Sequence, residues 1–91
     1  MNKYIDQFEE VLYNLGGYAL IPADKRPTLT LSDGFDDTKT TQIKSLVAVD
    51  DNCGQLEATT RIKCIDADDE MWDVEEYVDE AGLNALLNCI K

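Results

Sequence analysis

The sequence contains no histidine, and this absence narrows the chemistry that the chain can perform. It removes the usual general base near neutral pH, the Ser-His and Cys-His dyads, and the commonest metal ligand in proteins. Glycine-rich phosphate-binding loops of the G-x-x-x-x-G-K-[ST] and G-x-G-x-x-G types are absent as well. We therefore expect a binding protein and not an enzyme, with no catalytic residues, no cofactor and no bound metal.

Other absences bear on location and on covalent structure. No apolar run approaches the roughly 20 residues needed to span a bilayer. The first residues lack the basic and apolar regions of a signal peptide, so a cytoplasmic protein is expected. The three cysteines, Cys53, Cys64 and Cys89, are odd in number and form no C-x-x-C pair, which favours free thiols, with Cys53 accessible in a polar stretch. At 91 residues, the chain is expected to form one domain, 1–91.

Negative charge is abundant and unevenly distributed. The formal net charge is −11. Residues 1–63 hold ten acids and seven bases, residues 64–90 hold nine acids and no base, and Lys91 adds one base, so −3 − 9 + 1 = −11. The nine acids, which we call the acidic segment, are Asp66, Asp68, Asp69, Glu70, Asp73, Glu75, Glu76, Asp79 and Glu80. Such a surface repels nucleic acids and anionic membranes, so a basic protein is the expected partner.

The apolar spacing predicts an α+β fold with an antiparallel sheet and a helix at each end. Apolar residues at helical spacing predict a helix over about 3–15, which Gly16 and Gly17 end. A second helix is expected over about 80–90, capped by Asp79 and with its leucines facing inward. Residues 32–40 are expected to form a flexible loop. The predicted strands are 18–21, 28–32, 42–49, 55–65 and 70–77, of which the last three form a meander.

Residues 70–77 allow two interpretations. The pattern Asp73-x-x-Glu76 resembles a helix capping box. One helix over 73–90 would carry apolar stripes on opposite sides, however, so we interpret 70–77 as a strand. In that register Cys64 lies opposite Trp72 and Ile62 opposite Val74. Lys63 then faces Asp73 and Arg61 faces Glu75, so that seven acids stay unpaired, among them Asp68, Asp69, Glu76 and Glu80.

The expected core combines both helices with the inner face of the sheet. Its members are Phe8, Val11, Leu12, Leu15, Val47, Ile62, Cys64, Trp72, Val74, Leu83, Leu86 and Ile90.

Three interpretations of the acidic segment stay open. The first is a recognition surface, since same-face residues on a strand lie about 6.6 Å apart, close to the phosphate spacing of one nucleic-acid strand. The partner would then be a basic, nucleic-acid-binding protein. The second is a solvated face that only provides solubility to a structural or oligomeric protein, monomer or homodimer. The third is weak divalent-cation binding. An EF-hand loop counted from Asp66 would need glycine where Met71 stands and glutamate where Tyr77 stands, so the sequence does not match that motif.

In size, acidity and element order, the chain resembles small phage-encoded inhibitors of host defence nucleases, including some anti-CRISPR proteins. The resemblance rests on make-up and not on a residue motif. It implies a nucleic-acid mimic that blocks a nuclease.

Overall fold

A computed structural model describes residues 3–36, 38–51 and 59–90 and shows the expected α+β arrangement. An N-terminal helix and a C-terminal helix accompany an antiparallel sheet of five strands. In chain order the elements are α1 (Lys3–Asn14), β1 (Tyr18–Leu20), a 3₁₀ turn (Ala23–Lys25), β2 (Thr28–Ser32), β3 (Thr38–Asp51), β4 (Thr59–Asp66), β5 (Met71–Asp73), α2 (Val74–Tyr77) and α3 (Glu80–Ile90).

Helix α1 forms where its apolar residues share one face. Ile5, Phe8 and Leu12 are buried at the i, i+3, i+7 spacing of a helix. Gly16 and Gly17 take φ values of +82° and +89°, which glycine adopts without a steric cost. The Gly17 amide donates to the Leu12 carbonyl at 2.7 Å and ends the helix. The prediction that Leu15 belongs to the core is wrong, because the helix ends at Asn14 and leaves Leu15 52% exposed in the turn.

Strand β3 is the centre of the sheet. It lies between β1, which pairs with residues 45–47, and β4, which pairs with residues 43–51. Its first part, residues 38–42, pairs with β2. The predicted loop 32–40 is therefore too long, since residues 38–40 pair with 30–32 of β2. Threonines at 30, 38 and 40 favour strand structure there. The part of the predicted strand 55–65 that precedes Thr59 lies outside the described residues.

The β4–β5 register is confirmed where the two strands pair. Cys64 lies opposite Trp72 and Lys63 opposite Asp73. Beyond Asp73 the prediction of a strand to residue 77 is wrong. The Asp73 carboxylate accepts a hydrogen bond from the Glu75 amide at 3.0 Å and caps the short helix α2.

Three further predictions depended on that strand and are wrong. Ile62 is not paired with Val74, Arg61 does not face Glu75, and carboxylates do not continue past Asp73 at strand spacing. Two separate helices, α2 and α3, bury the two apolar stripes that a single helix could not.

The core lies between the helices and the inner face of the sheet. Of the residues predicted to form it, seven are buried: Phe8, Leu12, Ile62, Cys64, Val74, Leu83 and Leu86. Val11, Trp72 and Ile90 are partly buried against it, and Val47 is half-buried. Further buried residues lie in the strands or, for Ile21, directly after β1: Ala19, Ile21, Leu29, Leu31, Ile43 and Leu46.

The start of α3 is held close to α2. The Asp79 carboxylate accepts from the Gly82 amide at 2.8 Å, which confirms Asp79 as the cap. A Cβ atom at Gly82 would lie 2.7 Å from Val78 Cγ1, so glycine permits the close approach. Within the described ranges, no helix is long and apolar enough to cross a membrane.

Candidate partner-binding surface

The acidic segment divides into buried and exposed carboxylates. Asp66 is 0% and Asp73 6% exposed, so neither can contact a partner directly in this conformation. The other seven are exposed: Asp68, Asp69, Glu70, Glu75, Glu76, Asp79 and Glu80.

Asp66 is buried with four hydrogen-bond donors around its carboxylate. Oδ2 accepts from Lys39 Nζ at 2.8 Å and from Trp72 Nε1 at 2.9 Å. Oδ1 accepts from the backbone amides of Asp68 at 2.8 Å and Glu70 at 2.9 Å. Burial alone would raise the pKa of Asp66, but these four bonds stabilise the ionised form and together lower its pKa to about 2. The hydrogen bond between Lys39 and Asp66 also raises the pKa of Lys39 above its usual value.

The local sequence explains why Asp66 points inward. It follows Ile62 and Cys64 at strand period two, and both of these are buried on the inner face. The chain then turns through residues 67–69, where Asp69 has a φ of +68° and the Asp66 amide donates to the Glu70 carbonyl at 2.9 Å. This three-residue turn brings two free amides onto the Asp66 carboxylate.

Asp73 lies on the opposite face of the hairpin from Asp66, and other side chains contact it there. Its Oδ2 lies 2.9 Å from Arg61 Nη1 and 3.4 Å from Lys63 Nζ, while Oδ1 accepts from the Glu75 amide. Burial would raise the pKa of Asp73, and these cations and the amide lower it below its usual value. The predicted Lys63–Asp73 contact is confirmed, and Arg61 joins it in place of the predicted Arg61–Glu75 pair.

The exposed carboxylates of the hairpin also have cationic partners. Lys39 Nζ lies 2.9 Å from Asp68 Oδ2 and 3.4 Å from Glu70 Oε2. Asp69 forms an ion pair with Lys44. Lys39 therefore joins three acids of the segment, and none of these contacts could be read from a pattern within the segment itself.

On α2 and α3 the contacts are weaker. Glu76 Oε1 lies 3.9 Å from Arg61 Nη1, and Glu80 accepts from the Tyr4 hydroxyl at 3.4 Å. No ion pair joins Glu75, Asp79 or Glu80 to a described cation. The prediction that four particular acids are not paired with cations is wrong for Asp68, Asp69 and Glu76. Glu80 has the Tyr4 hydroxyl as a hydrogen-bond donor but no ion pair with a described cation.

Even after this pairing, the segment keeps an excess of negative charge. Four described cations contact its nine acids, namely Lys39, Lys44, Arg61 and Lys63, which leaves 9 − 4 = 5 negative charges. Over the whole chain, eight bases can balance at most eight of 19 acids. All four cations lie against the five acids of residues 66–73, so most of the excess belongs to the four acids of α2 and the start of α3.

A second acidic surface lies on α1. Asp6, Glu9 and Glu10 line an open groove of about 800 Å³ together with Tyr13 and the glycine turn that follows the helix. The i, i+3, i+4 spacing of these three acids is the signal that could have identified this surface from the sequence. It lies outside the predicted site.

Possible metal ligands and two free thiols, the buried Cys64 and the partly exposed Cys89, are among the described residues. There, no group of three or more Cys, Asp or Glu side chains is arranged to hold a metal ion. Burial raises the pKa of the Cys64 thiol to about 12, so the thiol stays protonated and unreactive at neutral pH. The predicted accessible cysteine, Cys53, lies outside the described residues.

Comparison of the chain with known protein families, with curated proteins and with solved structures finds no match. The function is therefore argued from the geometry and charge of the surface itself.

Proposed function

We propose that this chain is a small protein-binding module that acts without catalysis and binds a basic, nucleic-acid-binding protein through its acidic segment. The observation that carries the proposal is the excess of five negative charges that remains after the nearby cations have been paired. Arginine and lysine side chains that normally hold phosphates form strong charge-assisted hydrogen bonds with carboxylates. The protein would therefore compete with nucleic acid and inhibit its partner.

The buried acids support this role indirectly. Asp66 bonds both the hairpin turn and Lys39 of β3, and Asp73 bonds both the start of α2 and Arg61 of β4. The exposed carboxylates therefore project from an ordered backbone. A surface that is ordered before binding loses less conformational entropy when the partner docks. The resemblance in make-up to phage-encoded inhibitors suggests a phage-defence nuclease as the partner class.

The test compares two variants of equal charge. One carries Glu75→Lys, Glu76→Lys and Glu80→Lys in the acidic segment, and the matched control carries Asp6→Lys, Glu9→Lys and Glu10→Lys on α1. Each raises the formal charge from −11 to −5. Tagged wild-type protein is used to capture partners from a nuclease-treated bacterial lysate, and the affinity of the captured protein is then measured for all three forms.

We expect the segment variant to bind at least about tenfold more weakly and the α1 control to bind within about twofold of wild type. Binding should weaken steeply with salt, and duplex DNA should compete for the same site. An equal loss in both variants would show that only net charge matters. Unchanged affinity in both, with little salt dependence, would leave the segment as a solvated face.

A further inference from the structure

One edge of β2 is open, because among the described strands β2 pairs with β3 alone. The Ile43 amide donates to the Pro27 carbonyl at 3.1 Å, so these two residues form a hydrogen-bonded pair. In antiparallel strands such pairs alternate with pairs that exchange no backbone bond. The odd-numbered residues of β2 therefore bond to β3, and the even-numbered residues turn their amides and carbonyls away from it.

The even-numbered residues are Thr28, Thr30 and Ser32. The Thr30 hydroxyl lies 3.1 Å from that of Thr40, its partner on β3, as expected for a pair without backbone bonds, where side chains approach closely. Thr28 and Thr30 are exposed, and Ser32 is half-buried. Within the described ranges, the backbone groups of these three residues have no backbone partner outside β2 and β3. Such an edge can pair with a further strand.

A groove of about 370 Å³ lies between this edge and α2. On the strand side it is lined by Thr30 and Ser32, two of the three residues whose backbone groups point away from β3, and by the turn that follows them. On the other side it is lined by the end of α2 and the residues after it, Glu76, Tyr77, Val78 and Asp79. The open edge of β2 is thus one wall of a groove whose other wall belongs to the acidic segment.

The groove is negatively charged. Three acids line it, Asp33, Glu76 and Asp79, and no described cation does. Asp33 and Asp79 each accept from a backbone amide, which leaves their charge without a cation. Glu76 lies 3.9 Å from Arg61, which is closer to Asp73, at 2.9 Å. This arrangement favours a positively charged occupant, and it opposes a second copy of a chain with net charge −11.

We propose that an extended segment of the basic partner binds in this groove as an added strand on the edge of β2, with lysine or arginine at every second position. This deepens the proposed function and rests on it: Glu76 and Asp79 recognise the charge, and β2 supplies backbone hydrogen bonds. Strand addition is a recurring mode of peptide recognition, in which main-chain bonds give affinity and alternate side chains give specificity. Every second side chain of the added strand points to the face of the sheet on which α2 packs.

The test uses isotope-labelled protein and three hexapeptides with blocked termini. The first peptide alternates threonine with lysine. The second has the same sequence with every backbone amide N-methylated, so it keeps the charge but cannot donate hydrogen bonds to β2. The third alternates threonine with glutamate. NMR titration gives each affinity, and hydrogen exchange of the protein amides shows where the peptide binds.

Two variants with matched controls separate the edge from the acids. Thr30→Pro removes an outward amide without removing a β2–β3 bond, which an edge strand tolerates, and Thr30→Val keeps that amide. Glu76→Lys reverses a charge in the groove, and Glu75→Lys makes the same change at an exposed acid of α2 that does not line it. Circular dichroism checks the fold of all four variants. If Thr30→Pro does not fold, the Glu76 and Glu75 variants and the exchange data decide.

We expect the threonine–lysine peptide to bind about tenfold more tightly than either other peptide. In its complex the amides of Thr30 and Ser32 should exchange more slowly, while those of Leu29 and Leu31, already bonded to β3, should change little. Thr30→Pro and Glu76→Lys should each weaken binding about tenfold, and the two controls should stay within about twofold of wild type.

Four outcomes would overturn the inference. Equal binding of the N-methylated peptide would show that charge alone acts, which leaves the proposed function standing. Equal binding of the threonine–glutamate peptide would show that the occupant need not be basic. Protection of the Thr30 amide that rises with protein concentration in the absence of peptide would assign the edge to a second copy. Exchange at Thr30 that no peptide changes would place binding elsewhere. Failure of the proposed function is recognised separately, by unchanged affinity of the segment charge-reversal variant for the captured protein.

Discussion

The two halves of the acidic segment contain the same kinds of side chain, Asp and Glu, in different surroundings. In the hairpin half, residues 66–73, each of the five carboxylates contacts a cation. Four of them contact Lys39 or Lys44, and the fifth, Asp73, contacts Arg61 and Lys63. In the helical half, residues 74–80, the acids contact one described cation, Arg61, which lies 3.9 Å from Glu76. The four acids of the helical half are all exposed.

This difference teaches that charge density alone does not identify a binding surface. A carboxylate that follows the inner-face period of a strand must be satisfied within the protein, because an isolated buried charge is costly. A carboxylate on the outward side of a helix meets water and needs no partner. We therefore expect the hairpin half to govern stability and the helical half to govern association.

The largest expected effect is the loss of the Asp66 carboxylate. Asp66→Ala leaves the Trp72 indole N–H and two backbone amides without acceptors, so the free energy of unfolding should fall by about 3 kcal/mol. The matched control is Asp68→Ala, which removes an exposed partner of the same lysine, Lys39, and should cost less than about 1 kcal/mol. Urea denaturation measures both. Similar losses in the two variants would show that the burial of Asp66 gives its carboxylate no special part in stability.

Acid should weaken the hairpin half selectively. The pKa of Asp66 is about 2 in the folded protein and 3.8 ordinarily, so ionised Asp66 stabilises the fold fully above about pH 5. That contribution, on the order of 2 kcal/mol, is lost as the pH falls from about 4 toward 2. Asp73, whose pKa is also lowered, acts in the same direction.

The measurement is the difference in unfolding free energy between wild type and Asp66→Asn, followed by the fluorescence of Trp72, the one tryptophan of the chain. The difference should narrow as the pH falls. Taking a difference cancels the relief of general repulsion that acid brings to a protein of charge −11. A constant difference between pH 6 and pH 3 would show that folding does not lower the pKa of Asp66.

The smallest expected effect on stability belongs to the helical half. Glu75→Gln and Glu80→Gln should each change the free energy of unfolding by less than about 0.5 kcal/mol, because both side chains are exposed. The same substitutions should weaken binding to the captured basic protein and reduce the salt dependence of that binding. A stability loss above about 1 kcal/mol in thermal or urea unfolding would mean that this half is structural too.

Much of the fold could be predicted from local patterns. The burial of Phe8 and Leu12 follows from helical spacing, and the pairing of Cys64 with Trp72 follows from a short hairpin whose two inner faces must match. The strand predicted over 70–77 failed because a capping carboxylate at Asp73 competes locally with strand pairing. The capping-box pattern was the correct signal for α2.

The candidate site was predictable only in part. The sequence by itself determined the number of acids, the concentration of nine of them within 66–80 and therefore a surplus of negative charge that no pairing can remove. It also determined the inward period of β4, but the predicted strand ended at residue 65, and the structure extends it to the buried Asp66. Only the tertiary structure decided which acids are bound and which stay exposed. Lys39 and Asp66 are 27 residues apart in the chain, and they meet because β3 and β4 pair side by side. Such a contact depends on the packing of the whole sheet, and so no local pattern of charges can reveal it.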